Sequence, residues 1–236
     1  MKWWPGRLRP RLSEAQRARL DGWRARRARD ESAPADAYLV VDLETGGLNL
    51  RRDRVLSIGA VPVDAGRLQL GRAMHRVLRQ DAPSERENIL VHGLGPTQQL
   101  AGEPPAECLL DFLELAERRT LVAYHAPFDA AFLTRALRRH LGVRALPNVW
   151  LDLARLLPAL FPGAPAGQAS LDDWLARFGI PALQRHSAHA DALAAAQLFL
   201  IALNKARSQG LAGAGALCAQ AEACDRFPAG GGISGV

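Results

Sequence analysis

Asp42 and Glu44 stand two residues apart where an apolar run ends, in the stretch YLVVDLETG at 38–46. Side chains at i and i+2 of a strand share a face, so the two carboxylates should sit side by side. Like charges that close repel, and one must take up a proton unless a cation stands between them. Two more acids occupy comparable places. Asp129 follows the apolar run TLVAYHA (120–126) at a strand-to-helix junction, and Asp191 opens the helical pattern ADALAAAQLFLIAL (190–203). His186 lies five residues before Asp191. At about 100° per residue those positions do not share a helical face, so His186 belongs to the loop or first turn ahead of the helix.

Four carboxylates that converge call for cations. Oxygen-only ligands select hard ions such as Mg²⁺ or Mn²⁺. Two such ions about 3.5–4 Å apart can clamp the attacking and leaving oxygens of an in-line phosphoryl displacement. A histidine with a reference pKa near about 6.5 can take a proton from water at neutral pH. The reaction class that fits is phosphodiester hydrolysis. Each residue also has a plainer use: a solvated strand end for Asp42 and Glu44, a helix cap for Asp129, first-turn charge for Asp191. His189 competes with His186 and reads as a surface residue. Asp152 reads as a structural hydrogen-bonding group, and Trp150 and Trp174 as core.

The elements that must position these groups alternate between strands and helices. YLVVDLE, 55–63 and 72–78 read as strands, with DAGR (64–67) as a turn, which suggests an antiparallel meander. A helix is expected over 104–119, a strand over 120–126, a helix through AAFLTRALRRH (130–140) and a short strand at 148–153. Ser170 caps a helix that ends at Gly179, and the last strong helix covers 190–203. This is an α/β pattern, a mixed β-sheet flanked by helices, with the acids at strand ends where such folds build sites.

The 236 residues are 48% hydrophobic and 23% charged, ordinary for a globular chain. Cys108, Cys218 and Cys224 are too few and too scattered for a disulfide framework. No apolar run is long enough to span a membrane and no signal-peptide core follows Met1, so a cytoplasmic location is expected. The net charge of +6 resides in residues 1–35, and the remainder balances acids against bases. In that basic N-terminal extension Ser13 and Gln16 read as a capping box for a helix running to about Arg29, and the extension reads first as a solvated, partly disordered arm. A grip on nucleic acid comes second, and a membrane-surface anchor through Trp3 and Trp4 third. SAPADA (32–37) reads as a linker, 36–207 as the main domain, and 208–236 as a Gly/Ala-rich tail whose end, GGGISGV (230–236), is expected to be disordered.

Taken in order, VDLETGGL (41–48), HAPFD (125–129) and HSAHAD (186–191) resemble the DEDDh 3′–5′ exonucleases, the family of proofreading epsilon subunits and ribonuclease T. The resemblance covers about residues 36–205 and implies a ribonuclease H-like fold. It implies two divalent metal ions, Mg²⁺ or Mn²⁺, held by Asp42, Glu44, Asp129 and Asp191, with His186 as general base. Thr45 and Leu48 match positions that contact or wedge the terminal nucleotide, and SLDDWLARFGI (170–180) matches the helix before the last motif. His125 stands where the family commonly has Asn, and reads as a substrate contact. The implied activity is hydrolysis of single-stranded or frayed 3′ ends, DNA favoured, to nucleoside 5′-monophosphates. The resemblance extends to a polymerase partner for a proofreading role, and to a homodimer in ribonuclease T-like relatives. Alternatives are an RNA-trimming exoribonuclease and a catalytically silent nucleic-acid-binding scaffold.

Overall fold

The run VLSIGAVPV shows no polar alternation because both of its faces are covered. In the computed structural model, which describes residues 10–28, 36–163, 169–181 and 186–222, every residue from Val55 to Val63 is buried. This is β2 (Val55–Asp64), paired antiparallel with β1 (Ala37–Thr45). A tight turn at Ala65 and Gly66 leads into β3 (Arg67–Leu68), and β4 (Met74–Val77) also pairs antiparallel with β2. On the other side of β1 lie β5 (Thr120–Ala123) and β6 (Trp150–Asp152), both parallel. The sheet is therefore mixed, in the order β3-β2-β1-β5-β6 with β4 on β2.

Period-2 geometry gives β1 two different faces. Leu39, Val41 and Leu43 point into a core shared with α4 (Pro105–Ala116) and α5 (Ala126–Leu141). Tyr38 and Val40 point into the other core, built with α6 (Leu153–Leu160), α7 (Leu171–Arg177) and α8 (Ala188–Ser208). Asp42 and Glu44 continue that second set, so their side of the strand is the one α8 covers. Small buried residues of α8, among them Ala192, Ala195, Ala196 and Ala202, let it lie close on the sheet. Its Phe199 meets the Tyr38 ring edge-on at 4.9 Å.

Some elements had no clear signal in the sequence. Helices α2 (Arg86–His92) and α3 (Pro96–Ala101) are short and fill the connection between β4 and α4. Residues 14–28 form the expected helix, α1 (Glu14–Ala28), with the Ser13–Gln16 capping box in place. Its surroundings correct the expectation: it is not a solvated arm but lies on α4 with Leu20 and Trp23 buried. Arg19 of α1 is gripped by Glu107, Asp111 and Glu114 of α4 at 2.7–2.8 Å. Hydrogen bonding to Glu114 raises its pKa further above the usual guanidinium value. Within the Gly/Ala-rich tail, α9 (Gly213–Glu222) packs on α6 and β6 and buries Leu217 and Ala221, while GGGISGV lies outside the described residues. Trp3, Trp4 and residues 32–35 of the expected linker lie outside the described residues, as does Cys224. Among the described residues no helix is long and apolar enough to cross a membrane.

Candidate active site

The site forms where the end of β1, the start of α5 and the start of α8 meet. One carboxylate oxygen from each of Asp42, Glu44 and Asp191 lies within 4.8 Å of the other two. The approach of Asp191 depends on a glycine. Gly59 of β2 is the cross-strand partner of Asp42 and of His75 on β4. A Cβ at Gly59 would overlap the carbonyl of Ala188, the first residue of α8. Missing that side chain, the helix start sits directly on the strand beside Asp42, and Asp191 follows within its first turn. An interior strand glycine of this kind marks close backbone approach.

Asp129 sits in the first turn of α5, is 5% exposed, and stands apart from that trio. Burial pushes its carboxyl up to about 8; backbone hydrogen bonds at Asp129 and Leu43 oppose this, and the charges of Asp152 and Glu44 add to it. A carboxyl that stays protonated near neutrality for lack of opposing positive charge is the expected state of such a cluster in the absence of cations. The donor set of oxygens alone suits Mg²⁺ or Mn²⁺, so the residues present fit a divalent ion.

Two histidines flank the acids in left-handed backbone, His125 at φ 64° and His186 at φ 64°. Non-glycine residues rarely adopt this conformation, and it concentrates at functional sites. The backbone N–H of His186 donates to Asp191 Oδ2 at 3.1 Å, which ties the turn before α8 to the cluster while the residue stays exposed. His125 precedes α5, and its backbone N–H donates to Asp152 Oδ1 at 3.1 Å. The same oxygen accepts from Ala154 N at 3.0 Å, so Asp152 caps α6 and fixes the His125 turn. Trp174 is buried in the core on the α8 side of the sheet, and Trp150, half-buried, packs against the core on the α4 and α5 side. His189 is exposed, with its ring 5.9 Å from that of His75.

The loop after Glu44 is also held. Thr45 Oγ1 donates to the Gly47 carbonyl at 2.8 Å. Gly47 has φ 155°, and a side chain there would collide with the Asp53 carboxylate. That carboxylate accepts from Asn49 N at 2.7 Å. Arg135 of α5 donates to the carbonyls of Leu50, Arg51 and Asp53, fastening the loop to the helix. Leu48, 73% exposed, projects from it. Sequence reading did not single out Gly59, Arg135 or Gly47. Only Gly59 carried a signal, as the lone glycine in an apolar strand.

The chain is similar to known proteins. Residues 39–199 match the RNase_T family model, described as exonuclease. A DNA polymerase III subunit epsilon-like protein of Rhodobacter capsulatus is 34% identical over 76% of this chain and 25% of its own length. The DNA polymerase III subunit epsilon of Haemophilus influenzae is 29% identical over 69% of this chain and 66% of its own length. The chain thus spans about a quarter of the first of these relatives and 12% of the PolC-type DNA polymerase III of Thermotoga maritima, to which it is 29% identical. Among solved structures, E. coli Exonuclease I in complex with a dT13 oligonucleotide superposes with a TM-score of 0.61 at 20% identity, over 74% of this chain and 42% of that one. Exonuclease X in complex with 5′ overhanging duplex DNA gives 0.54 at 18% identity, over 78% and 99%. These structural neighbours show a shared ribonuclease H-like fold, and the match over 39–199 places the chain in the exonuclease family, with the ordered acids and histidine of its DEDDh 3′–5′ branch.

Proposed function

We propose that this chain is a metal-dependent 3′–5′ exonuclease that shortens single-stranded or frayed nucleic acid, DNA by preference, releasing nucleoside 5′-monophosphates. The observation that carries the reading is the convergence of Asp42, Glu44 and Asp191 to within 4.8 Å of one another. Asp42, Glu44 and Asp191 would hold the divalent ions, with Asp129 joining them once its proton is displaced. Such ions supply Lewis-acid stabilisation of the charge that develops on the phosphoryl oxygens.

The chain's own residues do the rest. His186, exposed at the rim and anchored through its backbone to Asp191, accepts the proton of the attacking water at its imidazole. A general base of this kind contributes roughly a hundred- to ten-thousand-fold. Leu48 presents an apolar wedge against the last base, and Thr45 and His125 contact the terminal nucleotide. The preference for DNA is supported by the oligonucleotide and duplex DNA in the structures of Exonuclease I and Exonuclease X. Relatives named as polymerase III subunits support a polymerase partner.

The test is incubation of the full chain with 5′-labelled single-stranded DNA and RNA oligonucleotides, in Mg²⁺ or in EDTA, beside Asp42→Ala. A ladder shortening from the 3′ end, dependent on metal and lost in the variant, is expected, with DNA cut faster. Faster cutting of RNA would favour the trimming ribonuclease. No cleavage with Mg²⁺ or Mn²⁺ would leave a silent scaffold.

A further inference from the structure

A groove of about 1300 Å³ runs between α1, the C-terminal half of α5 and the loop that follows β1. Its lining is dominated by arginine: Arg17 and Arg24 from α1, Arg51 from the loop, Arg138 and Arg139 from α5, and Arg144 just beyond it. Asp21 is the acid that lines it among the described residues, and it is paired with Arg24 at 3.0 Å. We propose that this groove binds the phosphodiester backbone of the strand whose 3′ end lies at the carboxylates. The inference rests on the exonuclease reading of that site and adds the path of the substrate away from it.

Three observations support it. The first is how α1 sorts its own charges. On the side facing α4, Arg19 meets three acids and Arg26 meets Glu117 at 3.2 Å. On the groove side, Arg17 donates to a backbone carbonyl, that of Leu12 at 3.2 Å, and stays exposed. One face of the helix is therefore matched internally and the other is presented outward. A guanidinium cannot shed its proton in a protein, so crowded arginines are relieved by solvent or by anions. The crowding is real at Arg139, whose pKa is lowered by burial and then by Arg54 and Arg135.

The second is continuity with the site. Helix α5 carries Asp129 in its first turn and Arg138 nine residues later, about 13 Å along the helix axis. The loop does the same from the other side: Leu48 projects close to Thr45 and Glu44, while Leu50 and Arg51 already line the groove. Arg135 holds loop and helix together, so the two walls keep a fixed spacing.

The third is charge balance. Residues 36–236 contain equal numbers of acids and bases, yet sequence-independent grip on nucleic acid comes mainly from phosphate neutralisation. A protein without net charge on its main domain must concentrate that grip locally, and this groove is where arginines gather. Other polyanions could share the chemistry, but the groove and the cluster read as acting on a strand end share α5 and the loop after β1, which favours the strand itself.

The test is the salt dependence of binding, measured by fluorescence anisotropy on a labelled 30-nucleotide single strand under EDTA, so that the reading does not depend on cleavage. The full chain is compared with the triple variant Arg17→Ala/Arg138→Ala/Arg144→Ala and with a charge-matched control, Arg67→Ala/Arg72→Ala/Arg207→Ala. Arg72 and Arg207 make only long, exposed ion pairs, at 3.6 and 3.7 Å. Losing three phosphate contacts should flatten the plot of log K against log salt by about 2 units for a single strand, with the control unchanged. Equal flattening in both triples would assign the effect to overall charge and overturn the groove. So would an unaltered slope in the groove variant, or failure of the full chain to bind. Should the triple variant unfold, Arg51→Ala/Arg144→Ala lies outside the helices and should flatten the plot by about 1.4 units. Cleavage of a trinucleotide in Mg²⁺ is scored separately: its absence in the full chain defeats the exonuclease reading and leaves the binding result to judge the groove.

Discussion

The carboxylate cluster and the arginine groove both crowd like charges, but the two crowds relax differently. A carboxylate can take up a proton, and Asp129 shows it, with burial and the neighbouring Asp152 and Glu44 pushing its carboxyl up to about 8. A guanidinium has no such escape. The acids accordingly sit at a junction of strand and helices, Asp129 and Asp191 buried and Asp42 and Glu44 half-buried, where a proton or a cation completes them. The arginines stay at the surface, where water and anions can reach them. The first region should respond to pH and divalent ions, the second to ionic strength.

The sharpest way to break that contrast is at His186. His186→Ala should lower kcat about a hundred- to ten-thousand-fold while binding of a long strand and its salt slope stay as they were. A variant turning over at the parent rate would move the general base elsewhere, with His189 the first candidate. A second experiment addresses the buried carboxyl under EDTA. Its folded pKa of about 8 lies above the unfolded value of about 3.9, so between those values the folded state holds a proton that the unfolded chain has released. Stability from this group is full below about pH 4 and is lost as pH rises to about 8. Denaturant midpoints should therefore fall from pH 5 to pH 8, and Asp129→Asn or added Mg²⁺ should shrink the fall. An unchanged fall in Asp129→Asn would mean that other groups cause it. The smallest effect is expected at Arg19→Ala, about 1 kcal/mol for a partly exposed ion-pair network. It should loosen α1 from α4, seen as earlier proteolysis within 14–28, and weaken the salt response without touching turnover of a trinucleotide.

Much of the fold could be read from local pattern. Strand β1 and its paired acids follow from period-2 geometry, and α5, α7 and α8 from helical spacing and caps such as Ser170, which accepts from Asp173 N at 3.2 Å. The three motifs in order carried the family. What stayed hidden depends on partners distant in the chain. Leu20 and Trp23 are spaced for one helix face, but the acids that receive Arg19 lie roughly 90 positions later, and nothing near 14–28 announces them. Helix α9 lay unmarked in a Gly/Ala-rich stretch, because Leu217 and Ala221, one helical turn apart, find their surface only on α6. Asp129 was expected among the ligands without distinction, and its place outside the trio, in the first turn of α5, could not be read from spacing.

The seat of α8 on Gly59 has a consequence for the protein's birth. Asp42 and Asp191 are about 150 residues apart, so at roughly 5–20 residues per second a ribosome needs on the order of 8–30 s between them. Through that interval the emerging chain holds the strand and its first acids but lacks the helix that completes the cluster. On the function proposed above, strand ends near the ribosome stay uncut until α8 has docked.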